Sequence, residues 1–298
     1  MKITFLGTGS MVPTIERNHS SILFNYNSEN ILVDCGEGTQ KQLRKAKISP
    51  AKITRILITH WHGDHVLGIP GLLSTLRWSN YTKTLEIYGP KGTKKYFSNM
   101  MNGFDSHILP TLKVKLIEIN KKLVFENKDF YVETLPVVHT KNCLAYNFIE
   151  KDKRRINLSY LKKFGLKNNP ILKSLSQGKD IVYNGKKISA KKATILNKGR
   201  KLSIVLDTIF FPGLYKIAKN SDLFVCESTH LSREQKESND YEHLTSEQAA
   251  ITAKKAKVKK LILTHFSQRY KDVMPLEKEA KKIFKNTITA KDLMTINV

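Results

Sequence analysis

Short apolar runs, each closed by glycine, proline or a polar residue, recur along the chain and predict an α/β fold. Runs of this kind are typical of strands, and two of them, 223–226 and 260–264, have the continuous apolar character of strands covered on both faces. Helical periodicity is clearest over 246–256, and further helices are predicted to start within 68–73 and after Pro275. The other predicted strands are 3–7, 30–34, 53–59, 85–90, 131–138, 144–149 and 202–206.

Length and composition fit this fold and exclude several classes of protein. Of the 298 residues, 40% are hydrophobic, which is enough for a packed core in one large α/β domain or two ordinary ones. The chain lacks the run of about 18 apolar residues that a membrane span needs, and its N-terminus turns polar too soon for a secretory signal. The three distant cysteines, Cys35, Cys143 and Cys226, favour reduced thiols in a cytoplasmic protein.

The charge is large and unevenly distributed. The chain has 51 Lys and Arg against 26 Asp and Glu, a formal net charge of +25, which suits a polyanionic partner such as nucleic acid. Residues 151–201 contain 16 of the basic residues and only two acidic ones, so this segment alone contributes +14. Two interpretations are open for it: a solvated surface insertion, or an arm that grips phosphates.

The motif with the most chemical content is His60-Trp61-His62-Gly63-Asp64-His65, at the end of a predicted strand. Three histidines and an aspartate in one turn can converge on a point, and imidazole with carboxylate suits Zn²⁺ or a similar divalent ion. A catalytic zinc takes about three protein ligands plus water, so this turn supplies nearly all the ligands of one zinc site but too few for two. Further ligands are expected where metal-binding residues directly follow predicted strands, as do His139, Asp207 and His265.

This pattern, His-x-His-x-Asp-His followed by isolated His, Asp and His, resembles the metallo-β-lactamase superfamily. Within it, the chain resembles the ribonuclease Z family of tRNA 3′-processing endonucleases. The resemblance extends from the first strand almost to the last, through stretches 5–10, 32–40, 60–65, 206–208, 226–229, 243–245 and 263–270. It implies a single αββα metallo-β-lactamase domain over residues 1–298, with a protruding basic tRNA-binding arm inserted at about 150–201.

Position by position, the resemblance implies two Zn²⁺ ions per subunit. One is expected to be held by His60, His62 and His139, the other by Asp64, His65 and His265, with Asp207 bridging the two. Two such ions can share the hydroxide that attacks a phosphodiester and can offset the charge of the phosphate.

The resemblance also implies the groups that move protons. Asp64 is expected either to orient or deprotonate the attacking water or to serve as a ligand only. His243, supported by Glu227, is expected to protonate the leaving ribose oxygen; without the resemblance, a capping role next to a helix would be the simpler interpretation of His243. Asp34 is expected to support the metal loops through buried hydrogen bonds.

Substrate contacts are expected from two regions. The stretch 166–180 is similar to the arm of bacterial ribonuclease Z, with Asn169 where the family usually has glycine, and the loop 13–18 resembles the family's Pro-x-Lys-x-Arg-Asn loop, with Ile15 in place of lysine. These departures concern how the tRNA 3′ end and a CCA sequence are positioned, not the cleavage reaction. The candidate phosphate contacts are Arg17, Arg269, Lys162, Lys163, Lys167 and Lys173, although each arginine could instead be a surface ion-pair residue.

These features predict a cytoplasmic, zinc-dependent endoribonuclease that removes 3′ trailers from tRNA precursors and leaves a 3′-hydroxyl on the tRNA and a 5′-phosphate on the trailer. Recognition is expected through RNA shape and phosphates, with no membrane or DNA partner, and the resemblance implies a homodimer in which one subunit's arm presents tRNA to the other's metal site. Two alternatives stay open: a metallo-phosphodiesterase or small-ester hydrolase on the same fold, and a non-catalytic nucleic-acid-binding protein with a vestigial metal site.

Overall fold

The computed structural model describes residues 1–104 and 112–298, and within them most of the strands form two seven-stranded sheets. The strands of the first sheet are β1 (Lys2–Gly7), β2 (Ser21–Tyr26), β3 (Glu29–Val33), β4 (Arg55–Leu57), β5 (Leu85–Gly89), β6 (Val114–Glu118) and β18 (Thr295–Asn297). Their order in the sheet is β18-β1-β2-β3-β4-β5-β6. The neighbours from β3 to β6 run parallel, whereas β18, β1, β2 and β3 pair antiparallel.

The second sheet contributes the later metal-binding candidates. Its strands are β7 (Leu123–Glu126), β8 (Phe130–Val137), β9 (Cys143–Glu150), β14 (Lys201–Val205), β15 (Leu223–Glu227), β16 (Leu261–Thr264) and β17 (Thr287–Thr289). Their order is β17-β16-β15-β14-β9-β8-β7. Because β14, β15, β16 and β17 run parallel, their carboxyl ends lie at one edge of the sheet.

Helices cover the outer face of each sheet. The first sheet shares a core cluster with α1 (Thr39–Lys45), α3 (Ile69–Trp78) and α4 (Thr93–Asn102). The second sheet shares another core cluster with α8 (Gly213–Ala218), α10 (Ser246–Lys255) and α11 (Met274–Ile283). The inner faces of the sheets meet where Phe24 stacks on Phe148, with ring centroids 4.2 Å apart. The predicted αββα layering is therefore confirmed.

Most predicted elements occur within a residue or two of their predicted bounds, and the clearest departure is the strand predicted at 53–59. Only Arg55–Leu57 pairs as a strand, because Pro50–Lys52 forms a 3₁₀ turn that ends at Ile53. At the other end, the backbone N–H of Thr59 donates to Asp34 Oδ1 at 2.7 Å instead of joining the sheet. The helix expected after Pro275 begins one residue before it, at Met274.

The chain divides into two compact units, which are described separately: residues 1–125, 132–148 and 201–298 form unit 1, and residues 126–131 and 149–200 form unit 2. Unit 1 contains both sheet cores and every candidate metal ligand. It also contains two short helices, α2 (Gly63–Val66) and α9 (Gln235–Asp240). None of the helices in the described residues is long and apolar enough to cross a bilayer.

Unit 2 contains most of the basic segment and has an apolar cluster of its own. Its elements are β10 (Lys153–Ile156), α5 (Leu158–Leu161), α6 (Leu172–Ser176), β11 (Ile181–Tyr183), β12 (Lys186–Ile188), α7 (Ala190–Ala193) and β13 (Thr194–Asn197). β10 pairs antiparallel with β13, and β11 with β12 across a tight turn in which Asn184 and Gly185 both have positive φ, the pattern of a type I′ turn. Buried Leu161, Leu175 and Ile188 belong to the cluster, so the segment is not a uniformly solvated insertion.

Candidate active site

The histidine-rich turn is held in place by close backbone packing. Cys35 N–H donates to the carbonyl of His65 at 2.8 Å, and Gly68 N–H donates to the carbonyl of Cys35 at 2.9 Å. A Cβ on Gly68 would lie 2.1 Å from the carbonyl oxygen of Gly36, and one on Gly36 would lie 2.3 Å from that of Asp64. Both positions therefore require glycine, because any side chain there would push the ligand turn away from the loop that follows β3.

The structure brings all seven candidate ligands together at the strand ends of the two sheets. They form two adjacent groups, and within each group the potential ligand atoms all lie within 4.8 Å of one another. Asp207 is common to both: its Oδ2 lies 3.6 Å from Nε2 of His60 and 3.3 Å from Nε2 of His65. The first group is His60, His62, His139 and Asp207, and the second is Asp64, His65, Asp207 and His265.

Three of the histidines are oriented by acceptors behind them. Nδ1 of His65 lies 2.7 Å from Oδ2 of Asp34, a fully buried carboxylate that also accepts from the Thr59 hydroxyl. Nδ1 of His60 faces that same hydroxyl at 3.0 Å, and Nδ1 of His139 faces the carbonyl of Glu242 at 3.0 Å. With Nδ1–H donating backward, each imidazole presents the lone pair of Nε2 to the site. Asp34 thus has the supporting position expected for it.

A second arrangement of the same kind holds His265. The Thr229 hydroxyl faces Nδ1 of His265 at 3.2 Å and donates to Oε2 of Glu227 at 2.7 Å. His265 itself has φ 60°, a left-handed conformation uncommon for residues other than glycine. The backbone therefore turns sharply where this side chain enters the site.

The electrostatics of the cluster favour positive charge at its centre. Burial lowers the pKa of His60 and His62, which keeps their imidazoles neutral. Burial opposes ionisation of Asp207, but His265 and His65 hold the pKa of that carboxyl well below its usual range. Burial also lowers the pKa of His65, yet Asp207, Asp64 and Asp34 together raise it well above its ordinary value. A cation at this point is stabilised by the surrounding carboxylates.

The donor atoms fit a divalent metal. Nε2 of His60, His65 and His265 and one carboxylate oxygen each of Asp64 and Asp207 are buried and make no hydrogen bond within the described structure. Leaving buried polar groups unpaired is costly, and so many converging in one place is uncommon without a bound ion. Neutral imidazoles and ionised carboxylates are the ligands that zinc and similar ions take.

Beside the ligand groups lies a carboxylate–imidazole pair. Nδ1 of His243 is 3.1 Å from Oε1 of Glu227, and Glu227 is fully buried. Burial lowers the pKa of His243, but the charge and hydrogen bond of Glu227 outweigh it and raise that pKa to about 9. Its ring centroid lies 5.0 Å from that of His139 and 5.5 Å from that of His265. A protonated imidazole therefore faces the candidate metal site at neutral pH.

The predicted substrate contacts have different environments. Arg17 is only 7% exposed, and its Nη2 donates to the carbonyls of Tyr270 at 2.7 Å and Ser267 at 3.3 Å. Arg269 lies on the wall of the active-site cavity and forms an ion pair with Glu237, with Nη1 2.8 Å from Oε2. The four candidate lysines, Lys162, Lys163, Lys167 and Lys173, are exposed on unit 2.

The cavity over the ligand groups, about 440 Å³, has walls that the sequence did not indicate. His230 is one of them: it is 4% exposed, its ring centroid is 6.4 Å from that of His243, and its Nδ1 has no hydrogen-bond partner in the described structure. Tyr241 is another. Both reach the site through tertiary packing, although His230 directly follows the stretch 226–229 and Tyr241 lies two residues before the stretch 243–245. Thr59 adjoins the motif 60–65 and Thr229 is the last residue of the stretch 226–229, so both could have been found from the sequence.

Comparisons with known proteins agree with this geometry. The family model described as Anti-Pycsar protein Apyc1 matches residues 1–167. Ribonuclease Z of Bacillus cereus (strain G9842) is 37% identical, over 100% of this chain and 99% of its own length. The crystal structure of the short form of human tRNase Z superposes with a TM-score of 0.70 at 27% identity, over 100% of this chain and 99% of that one. The metallo-β-lactamase fold protein YhfI from Bacillus subtilis gives a TM-score of 0.72 at 19% identity, over 99% and 98% of the two chains. The chain has the metallo-β-lactamase fold, matches the Apyc1 family over its first 167 residues, and over its whole length belongs to the ribonuclease Z family.

Proposed function

We propose that this chain is a zinc-dependent endoribonuclease that removes 3′ trailers from tRNA precursors, leaving a 3′-hydroxyl on the tRNA and a 5′-phosphate on the trailer. The observation that carries the proposal is the pair of ligand groups sharing Asp207, next to the His243–Glu227 pair, in a chain of the ribonuclease Z family. A metal site and a proton donor side by side are what hydrolysis of a phosphodiester requires.

His60, His62 and His139 would hold one Zn²⁺, Asp64, His65 and His265 would hold the other, and Asp207, which belongs to both ligand groups, would be shared between them. Bound there, two divalent ions lower the pKa of water and offset the negative charge of the phosphate. The imidazole-rich donor set favours zinc over harder ions such as Mg²⁺, which prefer oxygen ligands.

Asp64 and His243 divide the proton transfers. Oδ2 of Asp64 lies 3.3 Å from Nε2 of His65 and 3.5 Å from Nε2 of His265. The other carboxylate oxygen, Oδ1, makes no hydrogen bond in the described structure. We assign to that oxygen the role of orienting the attacking water or accepting its proton. His243 donates a proton to the departing ribose oxygen, and Glu227 keeps its imidazole charged and oriented.

The basic segment binds the tRNA body. We assign residues 1–298 to one catalytic domain into which an arm of about 150–201 is inserted. Residues 151–201 have a net charge of +14, and Lys162, Lys163, Lys167 and Lys173 offer exposed ammonium groups to phosphates. Arg269 adds a cation beside the active site, whereas a phosphate contact by Arg17 requires it to exchange its two carbonyl hydrogen bonds. A cytoplasmic homodimer, in which one arm presents tRNA to the partner's site, completes the proposal.

The test is cleavage of an end-labelled tRNA precursor, with and without chelator, together with metal analysis of the purified protein. One discrete cut at the 3′ end of the tRNA, a 3′-hydroxyl on the tRNA fragment and loss of cleavage on chelation are expected. Binding without cleavage, or hydrolysis of small phosphodiesters only, would overturn the assignment. Sedimentation of the protein at micromolar concentration tests the dimer separately.

A further inference from the structure

A second cavity, of about 270 Å³, adjoins the active site and has no role in the mechanism above. It shares His62 with the active-site cavity, and its walls include Trp61, Tyr96, Lys91 and Lys141. We propose that this cavity binds the first nucleotide of the RNA trailer, stacking its base on Trp61 and Tyr96 while Lys91 and Lys141 face its backbone. The inference rests on the proposed function and extends it to one side of the cleaved bond.

The aromatic wall is a fixed platform. The rings of Trp61 and Tyr96 have centroids 5.7 Å apart and planes inclined by 37°. The indole N–H donates to the Thr93 hydroxyl at 3.0 Å, and that buried hydroxyl donates to the carbonyl of Pro90 at 2.7 Å. Trp61 therefore keeps its orientation without a ligand, and a base that stacks on it does not have to order the ring first.

Tyr96 is the accessible half of the platform, with 49% of its surface exposed. Its position depends on Gly92, which has φ +99°, and a Cβ at Gly92 would lie 2.9 Å from Cε2 of the tyrosine ring. The exposed ring of Tyr96 can stack on a planar partner, and a nucleobase has such a face.

The charges around the platform suit a phosphate backbone. Lys91 and Lys141 are both exposed, and in the described part of the chain neither has a carboxylate oxygen within 4.0 Å. Asn142 ties their two loops together, because its Nδ2 donates to the carbonyl of Lys91 at 3.2 Å. Aromatic stacking flanked by unpaired cations is the pattern of single-stranded nucleic-acid sites, where every base has a usable face.

The side of the cleaved bond follows from the position of the proton donor. His243 protonates the ribose oxygen that leaves with the tRNA, so the last tRNA nucleotide lies on the side of His243, His230 and Arg269, which line the active-site cavity. None of these three residues lines the second cavity, which we call the Trp61 cavity. The trailer is attached to the phosphate through the other ester oxygen. Its first nucleotide is therefore free to extend past His62 toward Trp61.

The experiment compares two precursors that differ only in whether the first trailer nucleotide has a base or is abasic. Relative to the parent chain, Tyr96→Ala is expected to lower kcat/KM roughly ten-fold on the complete precursor, mainly through KM, and hardly at all on the abasic one. Trp61→Phe keeps a stacking face but loses the indole N–H that donates to Thr93, so a smaller loss, again confined to the complete precursor, is expected. Trp78→Ala is the matched control, since Trp78 is 81% exposed and lies outside this cavity. Zinc content measured on each variant shows whether the ligand turn is intact.

Equal losses on both precursors, or no loss on either, would overturn the subsite. A third precursor has an abasic last tRNA nucleotide and a complete trailer. If the loss caused by Tyr96→Ala disappears on this precursor, the ring contacts the tRNA base instead, and the subsite is also overturned. A second readout does not need cleavage: in a Trp78→Phe background the remaining tryptophan is Trp61, and a 5′-phosphorylated trailer trinucleotide is expected to quench its fluorescence. If the parent binds and quenches but never cuts a precursor, the proposed function fails while the nucleotide subsite stands.

Discussion

Nδ1 of His243 lies 3.1 Å from Oε1 of Glu227, and the same carboxylate oxygen accepts from the backbone N–H of Thr208 at 2.8 Å. The carboxylate is thus fixed in position before it orients the imidazole. Burial alone would discharge both groups, but each stabilises the charged form of the other, so the pKa of Glu227 is lowered and that of His243 is raised to about 9.

This relationship predicts how activity depends on pH. The acid form of His243 persists through neutral pH and is lost as pH rises through about 9, so the alkaline limb of the kcat profile is expected there. Glu227→Gln removes the negative charge, lowers the pKa of His243 and moves that limb to lower pH. His243→Ala is expected to lose about 100-fold or more in kcat and to lack the limb. A Glu227→Gln profile that coincides with the parent's would contradict the assignment of His243 as the proton donor.

Metal retention should depend on His65. His65→Ala removes a buried imidazole held between Asp34 and the two carboxylates Asp64 and Asp207, so cleavage of precursor tRNA and at least one metal equivalent are expected to be lost together. Activity assays and elemental analysis measure both. Arg77→Ala, on the outer helix α3, is the control and should retain both. A His65→Ala protein that cleaves normally would show that the site has been misassigned.

The arm can be removed at a point that the strand register defines. Arg154 and Leu196 are Cα partners in the β10–β13 pair, so deleting residues 155–195 leaves two ends that an Asn-Gly turn can join. The deletion removes the apolar cluster of unit 2 as a whole. Processing of precursor tRNA is expected to be abolished while hydrolysis of a small phosphodiester is spared. Equal loss of both activities would rule out a separate tRNA-binding role for the segment.

The charges of the arm should appear in the salt dependence of binding. Replacing Lys162, Lys163, Lys167 and Lys173 by glutamine is expected to weaken tRNA binding at low salt. It should also flatten the slope of log K against log salt by about 0.7–0.9 for each lysine that contacts a phosphate. Filter binding between 50 and 200 mM salt gives the slope. An unchanged slope would place the phosphate contacts on other basic residues.

The three thiols should be unreactive in the native protein. Cys35, Cys143 and Cys226 are free and at most 2% exposed, and burial raises the pKa of Cys35 to about 12. Because the thiolate is the reacting species, no thiol is expected to react within minutes with Ellman's reagent, and three should react after unfolding in guanidinium chloride. A thiol that reacts at once in the native state would contradict this packing.

How much of the site could be predicted from the sequence depended on whether a feature was local. His60, His62, Asp64 and His65 are close in sequence, so their convergence follows from one turn, and His139, Asp207 and His265 could be found because each directly follows a strand. The apolar cluster of unit 2 was missed because its members are scattered among lysines and show no single periodicity. The Trp61 cavity was missed because Tyr96 lies on a helix 35 residues away in sequence.

By itself, the sequence determined the α/β class, the concentration of positive charge in one segment and the identity of seven candidate metal ligands, because these depend on residue type and on position relative to a strand end. The family resemblance already implied that Asp207 is shared by the two ligand groups. Only the tertiary structure decided that Thr59 and Thr229 link histidines to buried carboxylates and that Arg17 points into the protein. Those relationships are distances between residues from different sheets and loops. They are set by how the two sheets and their loops pack, which no local pattern along the chain specifies.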